Sequence, residues 1–156
     1  MVKTNAMRML SKAKIAFRTE EYEVDESDLS GEHVASQLNQ NVEQVFKTLV
    51  IKGERKGTMV FCLPVNHEID LKKAAKVAGD KKVEMLHMKD LLSTTGYIRG
   101  GCSPIGMKKR FPTFIEETCL QYDEIYISAG VRGAQIILNP NDLIEYLGIT
   151  VCDFVV

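Results

Sequence analysis

The sequence lacks an excess of charge of either sign. Among its 156 residues, 20 are Lys or Arg and 21 are Asp or Glu, which gives a net charge of -1. Net charge therefore does not indicate a nucleic-acid partner, which has to be inferred from local basic patches. The sequence also lacks an apolar run of the roughly 20 residues that cross a membrane. Its first residues lack the apolar stretch of a signal peptide, so we expect a cytoplasmic protein with no membrane partner.

Short motifs of several common enzyme classes are also missing. The sequence contains no GxSxG elbow, HExxH pair, P-loop or GxGxxG turn. The histidines at positions 33, 67 and 87 have no triad or metal-ligand spacing, and the four cysteines form no CxxC pair. These absences argue against a Ser-His-Asp hydrolase and against metal catalysis. We therefore predict no metal and no cofactor, and free thiols in a reducing compartment.

What is present is an ordinary globular composition, with 45% hydrophobic and 26% charged residues. The length is near that of one domain, and the chain shows no internal repeat or long linker. We therefore predict a single domain over residues 1–156.

Turn and capping residues divide the chain into short elements. Helices are predicted after four residues that can cap a helix N-terminus: Thr4, Ser30, Asp70 and Asn141. Short apolar runs predict strands at 46–51, 59–63, 82–86, 124–128, 135–138 and 151–156. Because strands follow one another both as hairpins and across helices, we predict a mixed α/β or α+β domain rather than a doubly wound parallel sheet.

Lys47 lies inside the apolar strand predicted at 46–51. Burial of an ammonium group is costly without partners, so a lysine in this position is unusual. Two interpretations remain open from the pattern alone. The lysine marks a charged strand edge that prevents aggregation, or it lies in a pocket and contacts an anionic or carbonyl group.

Two glycine-rich segments follow, at 100–106 (GGCSPIG) and at 128–133 (SAGVRG). Paired glycines permit positive φ angles and let a ligand approach the backbone closely. Exposed backbone N–H groups in the first segment could hold a carbonyl oxygen or a phosphate. The alternatives are an ordinary tight connection for the first segment and a simple hairpin turn for the second.

Basic residues cluster in three zones, at 3–18, 72–89 and 108–110. Such runs are usually solvated faces of helices or loops. The functional alternative is a discontinuous anion-binding surface, which the basic run directly after the first glycine-rich segment favours.

Taken together, these segments resemble the YbaK/EbsC family, the free-standing relatives of the editing domain inserted in bacterial prolyl-tRNA synthetases. The resemblance rests on segments in family order, at 45–49, 70–76, 81–85, 93–97, 100–109 and 128–133. Each segment alone is a weak signal, whereas GGxSPxG with the upstream lysine is a specific combination.

The resemblance implies a mixed, barrel-like central sheet surrounded by helices. It implies an enzyme that clears mischarged Cys-tRNA(Pro), with Cys-tRNA(Cys) as a further candidate, and prolyl-tRNA synthetase as a partner. It assigns catalysis to Lys47 and substrate binding to Tyr22, Thr48, Gly100, Gly101, Cys102, Ser103, Gly106, Ser128, Gly130 and Arg132. The basic residues expected to bind tRNA are Lys72, Lys73, Lys108, Lys109 and Arg110.

An aminoacyl ester is already activated, so its cleavage needs no strong enzyme nucleophile. If the amino acid is cysteine, its own thiol can attack the ester carbonyl, while the enzyme supplies positioning and charge stabilisation. Cys102 is then not required as a nucleophile. Val131 stands where many relatives carry a basic residue, and Gln135 stands where some carry an acidic one. These two departures leave the substrate preference open. The alternatives are an Ala-tRNA(Pro) deacylase that uses water and a non-catalytic module that binds tRNA or a synthetase.

Overall fold

Eight strands form two sheets in the computed structural model, which describes residues 3–156. The strands are β1 (Phe17–Glu21), β2 (Phe46–Gly53), β3 (Gly57–Pro64), β4 (Val83–Met85), β5 (Thr113–Glu116), β6 (Ile125–Ser128), β7 (Ala134–Leu138) and β8 (Thr150–Cys152). The α-helices are α1 (Asn5–Lys12), α2 (Gly31–Gln37), α3 (Leu71–Ala78), α4 (Leu91–Thr95) and α5 (Pro140–Leu147). Short 3-10 turns lie at Val42–Gln44, Met88–Asp90 and Glu117–Gln121.

The larger sheet has the strand order β4-β2-β3-β5-β8. Strands β2 and β3 form an antiparallel hairpin in which Lys47 lies opposite Leu63. Strand β4 adds antiparallel to β2, whereas β5 and β8 add in parallel on the other side of the hairpin. The sheet is therefore mixed, as the combination of hairpins and helical crossovers predicted.

The smaller sheet is antiparallel, with the order β1-β7-β6. A parallel bridge between Val45 and Tyr126 joins it to the start of β2. The main core lies between the two sheets, where Cys62 of β3 belongs to the same buried cluster as Ile127 and Ile136. The predicted mixed α+β architecture is confirmed, with five α-helices and two sheets.

A second core covers the opposite face of the larger sheet. Because side chains alternate along a strand, Phe61 points away from Cys62 and packs with Ala74 of α3 and with Phe154. The Phe61 ring also stacks on Phe114, with 4.6 Å between ring centroids. Each such buried ring contributes roughly 1.5–3 kcal/mol relative to an exposed one, so this face anchors α3 on the sheet.

Three of the four predicted helix caps are confirmed. The side chains of Thr4, Ser30 and Asp70 accept backbone N–H groups in the first turns of α1, α2 and α3. The fourth was wrong: Asn139 caps α5 by accepting the Asn141 N–H at 2.8 Å. Pro140 has no backbone N–H and takes the first helical position, so the helix begins before Asn141.

The strand predictions needed correction at three places. Strands β1 and β5 were not predicted, because charged residues interrupt the first and the second has only two apolar residues, Phe114 and Ile115. The last strand ends at Cys152 rather than at residue 156, and beyond it Val155 forms an isolated bridge with Ile69. No helix within residues 3–156 has the length and apolar character needed to cross a membrane.

Candidate functional site

A cavity of about 350 Å³ opens beside the start of β2. Its walls come from segments that are distant in the sequence: the residues around the start of α2, strand β2, the 85–91 segment, and the ends of β6 and β7. The predicted site residues that line it are Lys47, Tyr22, Thr48, Gly100, Cys102 and Ser128. The fold therefore brings the lysine together with both glycine-rich segments.

Lys47 lies on β2 with its ammonium half-buried. The Nζ atom donates one hydrogen bond to the Val65 carbonyl oxygen at 3.4 Å. Burial lowers the lysine's pKa, and the charges of Glu32 and Glu68 oppose that shift. None of the ion pairs within residues 3–156 includes Lys47. An ammonium group has three donors, so the remaining ones are available to a ligand in the cavity.

The first glycine-rich segment presents only part of its length to the cavity. Gly100 and Cys102 line it. A Cβ at Gly101 would lie 3.1 Å from backbone atoms of Val131 and Arg132, so this glycine packs against the second segment. The Ser103 side chain is fully buried, and its hydroxyl accepts the N–H of Ile105. These contacts make Gly101 and Ser103 supports of the loop rather than parts of the cavity wall.

The second glycine-rich segment is the turn between β6 and β7. Ser128 lines the cavity, and its hydroxyl accepts the Gly130 N–H at 3.1 Å. The Arg132 Nε donates to the Arg99 carbonyl oxygen at 2.8 Å, which ties the turn to the first segment. Gly130 and Arg132 do not line the cavity.

Tyr97 occupies the space that two of the glycines leave. A Cβ at Gly106 or at Gly130 would lie 3.0 Å from an atom of the Tyr97 ring or hydroxyl, and both glycines have positive φ angles. The Tyr97 hydroxyl donates to the Ile105 carbonyl oxygen. Gly106 therefore accommodates this ring and lies outside the first cavity.

Cys102 is the cysteine in the cavity wall. Burial raises the pKa of its thiol to about 12, so the sulfur is protonated at neutral pH. The residues that line the cavity include no histidine that could remove the proton. A neutral thiol is a weak nucleophile, which agrees with the prediction that Cys102 is not required as one.

Gln135 lines the cavity opposite Ser128 in the β6–β7 pairing. The residue is 5% exposed, and its Oε1 is the one buried side-chain N or O atom of residues 3–156 without a hydrogen-bond partner. A buried acceptor without a donor costs about 1–3 kcal/mol, so a donor from a bound ligand would be favoured here. The sequence marked Gln135 only as a departure from the family pattern.

Several wall residues were not predicted at all. Glu32 and Arg99 add charge to the cavity, and Leu29, Met85 and Met88 add apolar surface. Met85 and Met88 are 45% and 59% exposed. No local pattern joins these positions, because only the tertiary fold brings the start of α2 to the end of β4.

The predicted tRNA-binding residues do not form one group. Lys109 and Arg110 line a second cavity, of about 190 Å³, whereas Lys108 donates to the Ser93 carbonyl oxygen at 3.3 Å. Lys72 and Lys73 lie on α3, where Lys73 contacts Asp153 and the Val155 carbonyl oxygen. As to metals, the described residues include no group of three or more His, Cys, Asp or Glu side chains that could hold an ion.

Comparison with known sequences places this chain among editing domains. The model of the family described as the aminoacyl-tRNA editing domain matches residues 27–146. EbsC of Enterococcus faecalis, named for an expected Cys-tRNA(Pro)/Cys-tRNA(Cys) deacylase activity, is 54% identical over 92% of this chain and 87% of its own length. The proline--tRNA ligase of Thermosipho africanus is 26% identical over 70% of this chain, a segment that spans 19% of that ligase.

Comparison with solved structures supports the same fold. A crystal structure described as a proposed trans-editing enzyme for prolyl tRNA synthetase superposes with a TM-score of 0.83 at 24% identity. The superposition covers 100% of this chain and 99% of that one, so the two folds agree over their full lengths.

Proposed function

Because this chain belongs to the family of aminoacyl-tRNA editing domains, we propose that it is a free-standing deacylase that removes cysteine from mischarged tRNA(Pro). The substrate class follows from the 54% identity to the Enterococcus protein. The segment shared with a proline--tRNA ligase supports prolyl-tRNA synthetase as the source of the mischarged tRNA and as a partner. Such an activity belongs in the cytoplasm, where charged tRNA is used.

The observation that carries the proposal is the Lys47 ammonium in a cavity whose one cysteine, Cys102, has a protonated thiol. In the part of the chain that the structure describes, the ammonium's one hydrogen-bond partner is the Val65 carbonyl oxygen, at 3.4 Å. A cation that is half-buried and underpartnered stabilises negative charge that develops on an ester carbonyl oxygen more than the same cation in water would. The cavity is therefore suited to an ester whose nucleophile comes from the substrate or from water.

In the proposed reaction, the sulfur of the esterified cysteine attacks the carbonyl carbon of its own ester. A carbon–sulfur bond forms, the bond from that carbon to the ribose oxygen breaks, and the thiol proton passes to the ribose oxygen. The products are uncharged tRNA and a cysteine thiolactone, which water then opens to cysteine. The Lys47 ammonium stabilises the negative charge that develops on the ester carbonyl oxygen, and the cavity walls hold the substrate's thiol against the carbonyl carbon.

We further propose that Gln135 holds the substrate's α-ammonium group. Its Oε1 has no hydrogen-bond donor within residues 3–156, and the α-ammonium has three N–H groups. A hydrogen bond between them would satisfy the amide oxygen and orient the amino acid relative to Lys47. The wall residues Ser128 and Gly100 would then border the amino acid's carbonyl and side chain.

The test is to incubate the protein with tRNA(Pro) charged with cysteine, serine, alanine or proline, and to follow ester loss. Serine is the matched control, because it differs from cysteine by one atom and its hydroxyl is essentially never ionised at neutral pH. We expect cysteine to be released as a trappable thiolactone, and the serine ester to stay intact. Equal cleavage of the serine and alanine esters would replace this mechanism with hydrolysis by water, and no cleavage of any ester would refute the deacylase assignment.

A further inference from the structure

A second cavity, of about 190 Å³, lies beside the segment that follows the first glycine-rich loop. Its walls are mostly apolar, from Met9, Pro104, Met107, Phe111, Tyr146 and Leu147, and they include the two cations Lys109 and Arg110. Both cations are exposed, whereas the rings of Phe111 and Tyr146 are partly exposed. The cavity thus combines aromatic and thioether surface with positive charge.

The two cations of this cavity are not neutralised by acidic side chains within residues 3–156. None of the ion pairs there includes Lys109 or Arg110, and Arg110 donates a hydrogen bond to the Tyr146 carbonyl oxygen at 3.5 Å. Helix α1 contributes Met9 to the wall and carries the exposed Lys12 one turn further along the same side. The helix has no acidic residue. Unpaired cations on two sides of a mostly apolar cavity favour a ligand that has both planar aromatic rings and negatively charged groups.

One loop contributes residues to both cavities. Gly100 and Cys102 line the first cavity, and Pro104 and Gly106, from the same loop, line the second. Two residues of extended chain span at most about 7 Å, so the loop that separates the cavities is thin. The lining residues of the two cavities therefore lie only a few residues apart along this loop.

We propose that the second cavity binds an unpaired nucleotide from the 3′ end of the tRNA. The base packs on Phe111, Tyr146 and the thioethers, and the flanking phosphates contact Lys109 and Arg110. Aromatic stacking beside a basic strip is the usual mode by which proteins hold single-stranded RNA without reading its sequence. This site rests on the proposed function, since it takes the esterified end of the same RNA to lie in the first cavity.

The experiment compares a large and a small substrate that carry the same ester. Cysteinyl-tRNA(Pro) reaches both cavities, whereas 3′-O-cysteinyl adenosine reaches only the first. The double variant Lys109→Ala/Arg110→Ala removes two charges from the second cavity. The matched control, Lys52→Ala/Arg55→Ala, removes the same charge from exposed positions near the tip of the β2–β3 hairpin, which line neither cavity.

For the double variant we expect KM for cysteinyl-tRNA to rise about 10-fold or more at low salt and its salt dependence to weaken. Cleavage of cysteinyl adenosine and the melting temperature should match those of the control. Phe111→Leu should weaken tRNA binding at high salt as well, because stacking is not screened by ions. A fluorescent cytidine analogue in the unpaired 3′ end should lose its binding-induced quenching in this variant.

The inference is overturned if the double variant and the control raise KM for cysteinyl-tRNA equally. It is overturned as well if the double variant loses cleavage of cysteinyl adenosine along with cleavage of cysteinyl-tRNA. It is also overturned if the variants matter only when prolyl-tRNA synthetase is present, because the cavity would then serve a protein. Direct binding of uncharged tRNA(Pro) separates this test from the deacylase proposal. If the wild type cleaves no ester and the double variant still weakens that binding, the proposed reaction fails while the nucleotide site stands.

Discussion

The 100–106 loop contributes to two cavities, which differ in how far their cations are exposed to water. The first holds a half-buried ammonium with one backbone partner, a protonated thiol and a buried amide oxygen without a donor. The second holds exposed cations beside partly exposed aromatic rings. The first cavity thus holds a partly buried cation on β2, whereas both cations of the second cavity are exposed.

This difference suits the first cavity to the cleavage reaction and the second cavity to tRNA binding. A charge that is shielded from water acts strongly on a transition state, because little solvent has to reorganise around it. Exposed charges attract a polyanion from solution, but salt screens them within about 10 Å at 0.1 M ionic strength. Changes in the first cavity should therefore lower the rate with large and small esters alike, and changes in the second should act only on tRNA.

Lys47→Ala should produce the largest effect. Loss of a cation that stabilises the transition state should cost roughly 2–4 kcal/mol, or about 30- to 1000-fold in rate. Lys52→Ala is the matched control, since Lys52 lies on the same strand with its side chain exposed. Single-turnover deacylation of cysteinyl-tRNA and of cysteinyl adenosine should show the same loss. A folded Lys47→Ala protein with full activity would show that the catalytic assignment is wrong.

Gln135→Leu should raise KM for both esters about 10- to 100-fold, because a hydrogen bond to a charged group contributes roughly 1.5–3 kcal/mol. The same change should leave the melting temperature unchanged or raise it, since it removes a buried oxygen without a donor. Gln135→Glu should retain binding, because a carboxylate can also accept from an ammonium group. An unchanged KM in Gln135→Leu would place the amide oxygen outside the substrate contact.

Gly101→Ala should affect stability more than activity. The added Cβ would lie 3.1 Å from the backbone of Val131 and Arg132, which has to move to make room. Such overpacking costs about 1–3 kcal/mol, visible as a lower melting temperature. Activity per folded molecule should stay within a few-fold of the wild type. Loss of activity at an unchanged melting temperature would instead restore the sequence-based expectation that Gly101 admits the ligand.

The local signals in the sequence predicted most elements because those signals are short-range. Asp70 caps α3 as expected and accepts two backbone N–H groups, and the helix ends at Gly79, which has a φ of +71°. Strand β1 escaped prediction because its alternation is masked by Arg18, Glu20 and Glu21, and only its pairing with β7 makes it a strand. Pairing of this kind depends on residues more than a hundred positions away.

The candidate site was predictable where a residue is unusual in its own surroundings. Lys47 stands out as a cation within an apolar strand, and that contrast is visible in the sequence alone. Ser103 and Gly106 belong to the same recognisable loop as Cys102, but which of them faces a cavity depends on how the loop packs against the 128–133 turn. No pattern along the chain could reveal that the 108–110 run borders an aromatic cavity, since Tyr146 reaches it from α5.

Cys102→Ala should produce the smallest effect, although Cys102 lies in the cavity wall close to the proposed chemistry. With burial raising the thiol's pKa to about 12, roughly one sulfur in ten thousand or fewer is ionised near neutral pH. If the substrate's thiol is the nucleophile, the variant should release the thiolactone within about threefold of the wild-type rate, a change of less than ~1 kcal/mol. An enzyme nucleophile predicts the reverse, because activity would then vanish with Cys102 while serine and alanine esters would be cleaved by the wild type. Fast-quench analysis of the Cys102→Ala protein decides between them: thiolactone supports the substrate's sulfur as nucleophile, whereas inactivity at an unchanged melting temperature would assign the attack to Cys102.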